Sequence, residues 1–165
     1  MPTAQQFTGV VPMLICRDSA AEIAFCARAF GAVELSRRVA ADGAVMHATL
    51  RVANALVMVH GEVVSFPSQA PAADGSSPVV IYLYVEDADR VLERAVAAGA
   101  RLTLPPMDAP WGDRVGRIVD PAGHVWNVAS RPASAPSAAQ RIVEADERAH
   151  RSDPAAQLRP RAFAA

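Results

Sequence analysis

The feature that most constrains the fold is an internal repeat with one fixed offset. The dipeptides Gly31-Ala32 and Gly99-Ala100 lie 68 residues apart (99 − 31 = 68), and the same shift carries the turn at 53–55 onto 121–123. Around each pair the sequence predicts a strand, a helix and three further strands. A single offset that links a helix end to a hairpin turn predicts two copies of a βαβββ unit. The alternative is coincidence, because Gly-Ala is a common dipeptide in an Ala-rich chain.

In the first copy, the strand "TGVVPMLIC" is followed by the helix "RDSAAEIAFCARAFGA". Ser19 and Glu22 have the spacing of a capping box, in which each side chain satisfies a free amide of the first turn. Gly31 is placed to adopt the left-handed conformation that ends a helix. The strands "AVELSRRV", "AVMHATLRV" and "ALVMVHG" follow, separated by the turns "ADG" and "AN".

The second copy follows a segment rich in Pro, Ser and Gly, "EVVSFPSQAPAADGSSP", which is typical of a loop. It comprises the strand "VVIYLYV", the helix "EDADRVLERAVAAGA", and the strands "RLTLPP", "DRVGRIV" and "HVWNVA". The two units therefore cover about 6–61 and 78–131, within one domain at 6–131. Residues 132–165 are predicted to be a linker and a C-terminal tail, with a possible helix at 138–150.

Composition narrows the class of protein. The chain has 165 residues, 52% of them hydrophobic, and a net charge of −1, which favours a globular domain over a disordered chain or a basic nucleic-acid-binding protein. No apolar run reaches the roughly 18 residues of a membrane span, and the N-terminus lacks a signal-peptide pattern. Cys16 and Cys26 fit no metal or redox spacing and are expected to be buried thiols. These features predict a cytoplasmic protein, and the absence of Lys is typical of a GC-rich bacterial genome.

Three short motifs, "AFGA" at the first helix end, "WGDR" and "DPAGHVW", occur in this order along the chain. In that order the chain resembles the vicinal oxygen chelate superfamily, in its glyoxalase, bleomycin-resistance and dioxygenase-like branch, over about residues 6–131. The resemblance implies an α+β fold in which two βαβββ units form a curved eight-stranded mixed sheet with helices on the convex face. It also implies a homodimer whose concave side holds a ligand, often between two chains.

The resemblance further implies four positions at which enzymes of the superfamily hold a divalent metal. In this sequence they fall on Val11, on Met58 (or Val59 if the register differs by one), on Val80 and on Asn127. Divalent ions of this kind prefer carboxylate or imidazole donors. We therefore expect no metal and no cofactor, with a divalent metal as the alternative.

Strand alternation indicates which side chains share the face of these four positions. They form an apolar cup with a few polar groups, as expected of a small-molecule site. The side chains assigned to the cup by alternation are Val11, Met13, Ile15, His47, Thr49, Arg51, Leu56, Met58, His60, Val80, Tyr82, Tyr84, Arg117, Val125 and Asn127. The candidate ligand-binding residues are Met13, His47, Thr49, Met58, Tyr82, Trp111, Arg114, Arg117 and Asn127.

The roles of individual residues stay open. His47 is a hydrogen-bonding partner of a ligand, a general base or a structural histidine, and it is the candidate for a catalytic residue. Trp111 either stacks on an aromatic ligand or caps the end of the barrel. Arg114 either clamps an anionic group or pairs with Asp113 on the surface.

Other residues in these strands have simpler interpretations. His124 is expected to be a turn residue after "DPAG". Trp126 alternates away from Asn127 and should pack under a helix. His60 and Glu62 are close in sequence and bind at most an adventitious ion.

Three functions fit this pattern. The first is a small-molecule-binding protein without the usual metal ligands, which sequesters an aromatic or apolar compound. The second is a superfamily enzyme (a lyase, isomerase or dioxygenase), metal-free or with a relocated metal. The third is a protein-interaction role for the tail helix. The partners expected are a small molecule and a second copy of the chain, without nucleic acid or membrane.

Overall fold

The computed structural model describes residues 9–63, 68–72 and 77–131, and the possible helix at 138–150 lies outside these ranges. The first unit contains β1 (Met13–Cys16), α1 (Ser19–Phe30), β2 (Val33–Val39), β3 (Val45–Val52) and β4 (Ala55–Gly61). The second unit contains β5 (Val80–Tyr84), α2 (Ala88–Ala97), β6 (Arg101–Asp108), β7 (Arg114–Val119) and β8 (Val125–Ser130). The predicted α+β class and the two βαβββ units are confirmed. Neither described helix has the length and apolar character needed to cross a lipid bilayer.

The eight strands are divided between two four-stranded mixed sheets. Their orders are β1-β4-β3-β2 and β5-β8-β7-β6. In each sheet the first strand runs parallel to the last strand of its unit, and the other pairs are antiparallel. The parallel pair requires a long crossover, and the helix with its two following strands supplies it. The strands β1 and β5 consequently form corresponding edges of the two sheets.

The turn before β8 is one residue longer than the corresponding turn before β4, so the strand pairing after it is shifted by one residue relative to the first unit. Val52 pairs with Ala55 across a two-residue turn, whereas the Asp120 amide bonds to the carbonyl of His124 across three residues. Met58, the partner of Met13, therefore corresponds to Asn127, the partner of Tyr82. Of the two candidates for the second metal-equivalent position, Met58 shares the face of Asn127, and Val59 is fully buried on the opposite face.

The start of α1 differs from the prediction. Asp18, and not Ser19, is the N-cap, and its Oδ1 accepts a hydrogen bond from the Ala21 amide at 2.9 Å. The capping-box prediction was wrong because Ser19 is the first helical residue and is buried, as is Glu22. The carboxylate one residue earlier reaches the free amide instead. The predicted end is confirmed, since Gly31 has φ 69°.

Both helices and one face of each sheet build a common core. Trp126 is 1% exposed, and its ring lies 4.8 Å from that of Phe30 on α1, which confirms its predicted packing under a helix. Gly116 on β7 faces α2, and a Cβ added there would lie 2.5 Å from Leu92 Cδ1. The close approach of α2 to its sheet therefore depends on a residue without a side chain.

A buried carboxylate organises the turn before β8. Asp120 accepts hydrogen bonds from the His124 amide at 2.8 Å and from the indole Nε1–H of Trp126 at 2.7 Å. The ring of His124 then donates from Nε2 to the carbonyl of Ile15 on β1 at 3.1 Å. His124 is a turn residue, as predicted, and its side chain also connects the two units.

Glu22 lies in the same buried region and is a pH-sensitive element of the fold. It is 1% exposed, and its Oε1 accepts from the Cys26 thiol at 3.2 Å. Burial, reinforced by the charge of Asp120, raises the pKa of Glu22 to about 9. The folded state therefore holds a proton that the unfolded state loses at a much lower pH.

We predict that the free energy of unfolding falls as pH rises from 6 to 9, because ionising Glu22 favours the unfolded state. Glu22→Gln should reduce this loss by on the order of 2–4 kcal/mol, measured by urea unfolding at both pH values. The matched control is Glu93→Gln, at an exposed position of α2. Equal losses in the wild type and in the Glu22→Gln variant would contradict the assignment.

Candidate functional site

Each sheet has one face that the helices do not cover. In the first sheet, register places Met13, Met58, Thr49 and Ser36 in one row across the strands. Their sequence neighbours on the opposite face, such as Leu14 and Val59, are buried. The alternation predicted from the sequence thus separates the helix-covered face from the other face, on which Met13 is 48% exposed and Thr49 only 7%.

The open face of the second sheet carries the equivalent row. Tyr82 on β5 pairs with Asn127 on β8, which pairs with Arg117 on β7. Tyr82 is 38% exposed and Val80 is 40% exposed, close to the 48% of Met13 on the first sheet. The structure places these candidate residues on open surface rather than in the core.

Asn127 and Arg117 interact directly. The guanidinium Nε of Arg117 donates to the amide oxygen Oδ1 of Asn127 at 2.8 Å. This oxygen is the donor atom that Asn127 would offer to a metal ion. The interaction places the positive charge of Arg117 directly beside this oxygen.

The structure corrects the placement of Arg114. It is the first residue of β7, and its side chain forms a two-bond ion pair with Asp89 of α2, both bonds at 2.9 Å. Strand alternation puts it on the helix side, opposite to Arg117. The prediction that Arg114 pairs with Asp113 was wrong, because Asp89 holds Arg114 on the helix side; its role as a clamp for an anionic ligand group stays a prediction.

Asp113 belongs to a cluster that the sequence analysis missed. It is 1% exposed and accepts hydrogen bonds from the Tyr84 hydroxyl at 2.8 Å, the Tyr82 hydroxyl at 3.4 Å and Arg131 Nε at 2.7 Å. The Arg131 guanidinium also lies 5.1 Å from the ring centre of Tyr84. Burial and the neighbouring Asp113 raise the pKa of Tyr84. The only sequence signal was Tyr82 and Tyr84 alternating on one strand, which did not identify their distant acceptor.

This cluster fixes the loop that carries Trp111. The residue lies two positions before Asp113, between β6 and β7, and it is 50% exposed. Because Asp113 bonds to both tyrosines, the loop is anchored against the open face of the second sheet. Both predicted roles of Trp111, stacking on an aromatic ligand and capping this end of the fold, stay predictions.

The open face of the first sheet carries a histidine pair. The ring centroids of His47 and His60 are 5.8 Å apart, and Arg38 lies beside His47 in the register. Burial, with the positive charges of His60 and Arg38, lowers the pKa of His47 below its ordinary value. The Nδ1–H of His60 donates to the Gly61 carbonyl at 2.6 Å.

Glu62 does not join this histidine pair as an ion-binding group. Its Oε1 accepts instead from the Ala70 amide at 2.8 Å. Among the residues that the structure describes, no three His, Cys, Asp or Glu side chains are grouped closely enough to hold a metal ion.

A cleft of about 470 Å³ lies between the edges of β1 and β5 and the loop that joins the units. Its lining is mostly apolar, with His124 as its titratable group. The lining residues are Val10, Pro12, Met13, Leu14, Ile15, Gln69, Pro71, Ser77, Pro78, Val79, Ile81 and His124.

Comparison with known proteins gives concordant results. Residues 9–128 match the family described as Glyoxalase/Bleomycin resistance protein/Dioxygenase superfamily. An uncharacterized protein of Mycobacterium tuberculosis is 40% identical over 120 residues, which cover 71% of each chain.

Solved structures show the same architecture. TioX from Micromonospora sp. ML1 is 29% identical, with a TM-score of 0.61 over 76% of this chain and 100% of that one. The fosfomycin resistance protein FosX from Mesorhizobium loti is 16% identical, with a TM-score of 0.57 over 84% of this chain and 99% of that one, and it shares the fold. The two βαβββ units and the sequence match over residues 9–128 establish that this chain belongs to the glyoxalase, bleomycin resistance protein and dioxygenase superfamily.

Proposed function

We propose that the protein binds a small aromatic or apolar molecule on its open face and does so without a metal at the family's usual positions. The observation that carries the proposal is the chemistry of the four equivalent positions, Val11, Met58, Val80 and Asn127. Two are hydrocarbon side chains and one is a thioether, a soft and weak donor.

The fourth position supports the same conclusion. The amide oxygen of Asn127 accepts a bond from Arg117, and the guanidinium cation repels a divalent ion at that place. Residues that fit a divalent metal would offer carboxylate or imidazole donors that converge on one point. The residues present do not fit such a metal, and we derive no chemistry through one.

The groups around these positions suit an apolar ligand body. Met13 and Met58 are adjacent on β1 and β4, and unbranched thioether side chains adapt to irregular surfaces. Tyr82 and Tyr84, with ring centroids 5.1 Å apart, offer an aromatic surface on the other sheet. Thr49 adds a hydroxyl for orientation.

We propose that two copies of the chain assemble through these faces. A monomer with large apolar side chains left in water on two sheets gains stability by covering them. Exposed apolar residues of the open faces include Met13, Val33, Val80, Tyr82, Tyr84 and Met107. The free thiols of Cys16 and Cys26 fit a reducing compartment, and we propose the cytoplasm.

The competing function is an enzyme, and the observation that favours it is the lowered pKa of His47 beside a second histidine. An imidazole that is neutral near pH 7 can accept a proton. A relocated metal is the other route to catalysis. Measurement of bound metal separates this second route from the function that we prefer.

The first test combines metal analysis with ligand binding. We expect elemental analysis of the purified protein to show no stoichiometric divalent metal, and we expect N-phenyl-1-naphthylamine, a neutral aromatic probe, to bind with a rise in its fluorescence. Tyr82→Leu should weaken this binding about threefold to tenfold through loss of the aromatic contact. Val96→Ala, on the exposed side of α2, is the control. One equivalent of zinc, iron or manganese would refute the proposal.

The second test concerns the wall of the site. Asp113→Asn removes the charge that Tyr84 and Arg131 surround, and we expect a fall of about 1–3 kcal/mol in the free energy of unfolding. The affinity for N-phenyl-1-naphthylamine should fall with it, because the Trp111 loop loses its anchor. Asp108→Asn, 87% exposed at its side chain, is the matched control. A stable variant with unchanged affinity would show that the cluster has no part in the site.

The third test concerns assembly. Size-exclusion chromatography with light scattering should give about twice the chain mass of 17.4 kDa. Val80→Glu, which places a charge on the open face, should shift the mass towards the monomer. A wild-type protein that elutes as a monomer across a hundredfold range of concentration would rule out the homodimer.

A further inference from the structure

Three basic side chains lie side by side on the open face of the first sheet. Register pairs Arg38 on β2 with His47 on β3, and His47 with His60 on β4. The two histidine rings are 5.8 Å apart at their centroids. With Ser36 and Arg37, the three line a depression of about 400 Å³.

The two arginines of this depression differ in how they are paired within the part of the chain that the structure describes. Arg37 is held by two hydrogen bonds to Glu34, at 2.8 and 2.7 Å, whereas Arg38 forms no ion pair. Arg114 and Arg131 are likewise paired, with Asp89 and Asp113. Arg38 is thus an uncompensated cation beside two imidazoles.

The groups that act electrostatically on His47 are all basic. The charges that lower its pKa come from His60 and Arg38, and no carboxylate of the neighbouring strands opposes them. Cations in this arrangement repel one another, and that repulsion is relieved when an anion binds among them.

We infer that Arg38, His47 and His60 form a subsite for an anionic group, a carboxylate or sulfonate carried by the ligand whose apolar body lies on the same face. This inference rests on the proposed function and adds the charge of the ligand to it. Ile15, in the same row as His60, and Met13 and Met58 in the next row provide the adjoining apolar surface.

The hydrogen-bonding chemistry fits an oxyanion. The Arg38 guanidinium presents donors in a planar fork that matches a carboxylate or sulfonate. The imidazole of His47, beside Arg38 in the register, adds a further N–H donor when it is protonated. Anion binding should therefore strengthen as pH falls through the pKa of His47.

The test uses two fluorescent probes that share an aromatic body and differ in charge. 8-Anilinonaphthalene-1-sulfonate is an anion, and N-phenyl-1-naphthylamine is its neutral counterpart. The sulfonate should bind the wild-type protein more tightly at pH 6 than at pH 8, with no such change for the neutral probe. Arg38→Gln and His47→Gln should each weaken binding of the sulfonate about tenfold at pH 6, and Arg38→Gln should leave the neutral probe unaffected. Arg94→Gln, an exposed cation on α2, is the control for net charge.

The outcomes separate this inference from the proposed function. If both probes bind and Arg38→Gln changes neither affinity, the anionic subsite is refuted while the apolar site stands. If the neutral probe does not bind, the proposed function fails, and the subsite is then judged by NMR titration of His47. Sodium sulfate should raise the pKa of His47 in that titration, relative to sodium chloride at equal ionic strength, and no change would refute the subsite. Equal losses with Arg94→Gln would also refute it, because they would show a general charge effect.

Discussion

Asp120 connects the turn, the buried tryptophan and, through His124, the first strand of the other unit. Its carboxylate accepts from the His124 amide and the Trp126 indole, and the His124 ring donates to Ile15. Hydrogen bonds to a buried charged acceptor are stronger than neutral ones, and leaving such an acceptor unpaired is costly. Because Trp126 packs on Phe30 of α1, the same interaction fixes β8 against the helix of the first unit. The register of β8, and with it the direction of Asn127, depends on this turn.

That arrangement leaves one face of each sheet without a covering layer. The helices take up the side that carries Leu14, Val59 and Trp126, so the alternate residues of the same strands face outward. A fold built in this way has a surface for a ligand or a second chain, because apolar side chains such as Met13 and Val80 are exposed on its open side. Function in such a protein lies in the side chains on that surface rather than in the fold itself.

The open surface is divided by charge. The second sheet offers two tyrosines held by a buried carboxylate, Asp113, and an arginine bonded to Asn127. The first sheet offers methionines beside the basic row of Arg38, His47 and His60. Both sheets thus carry positive charge on the open face. Such a surface is better suited to an organic anion with an apolar body than to a divalent metal.

The sequence by itself determined the repeat, the order of strands and helices, and the glycine that ends α1. It also determined which residues of each strand share one face. These features depend on contacts between near neighbours along the chain. Within a strand, the alternation of side chains then assigns each residue to one of the two faces of the sheet. The sequence left open whether Met58 or Val59 shares the face of Asn127, because one extra residue in a turn reverses the face of every residue after it. The N-cap was assigned one residue late because Asp18 and Ser19 are both good caps.

Only tertiary structure decided that Arg114 pairs with Asp89, that Asp113 is buried under two tyrosines, and that His47 meets His60 and Arg38. Each of these interactions joins residues on different strands, helices or loops. Because a long side chain can reach several possible partners, the spacing of residues along the chain does not identify which partner it takes.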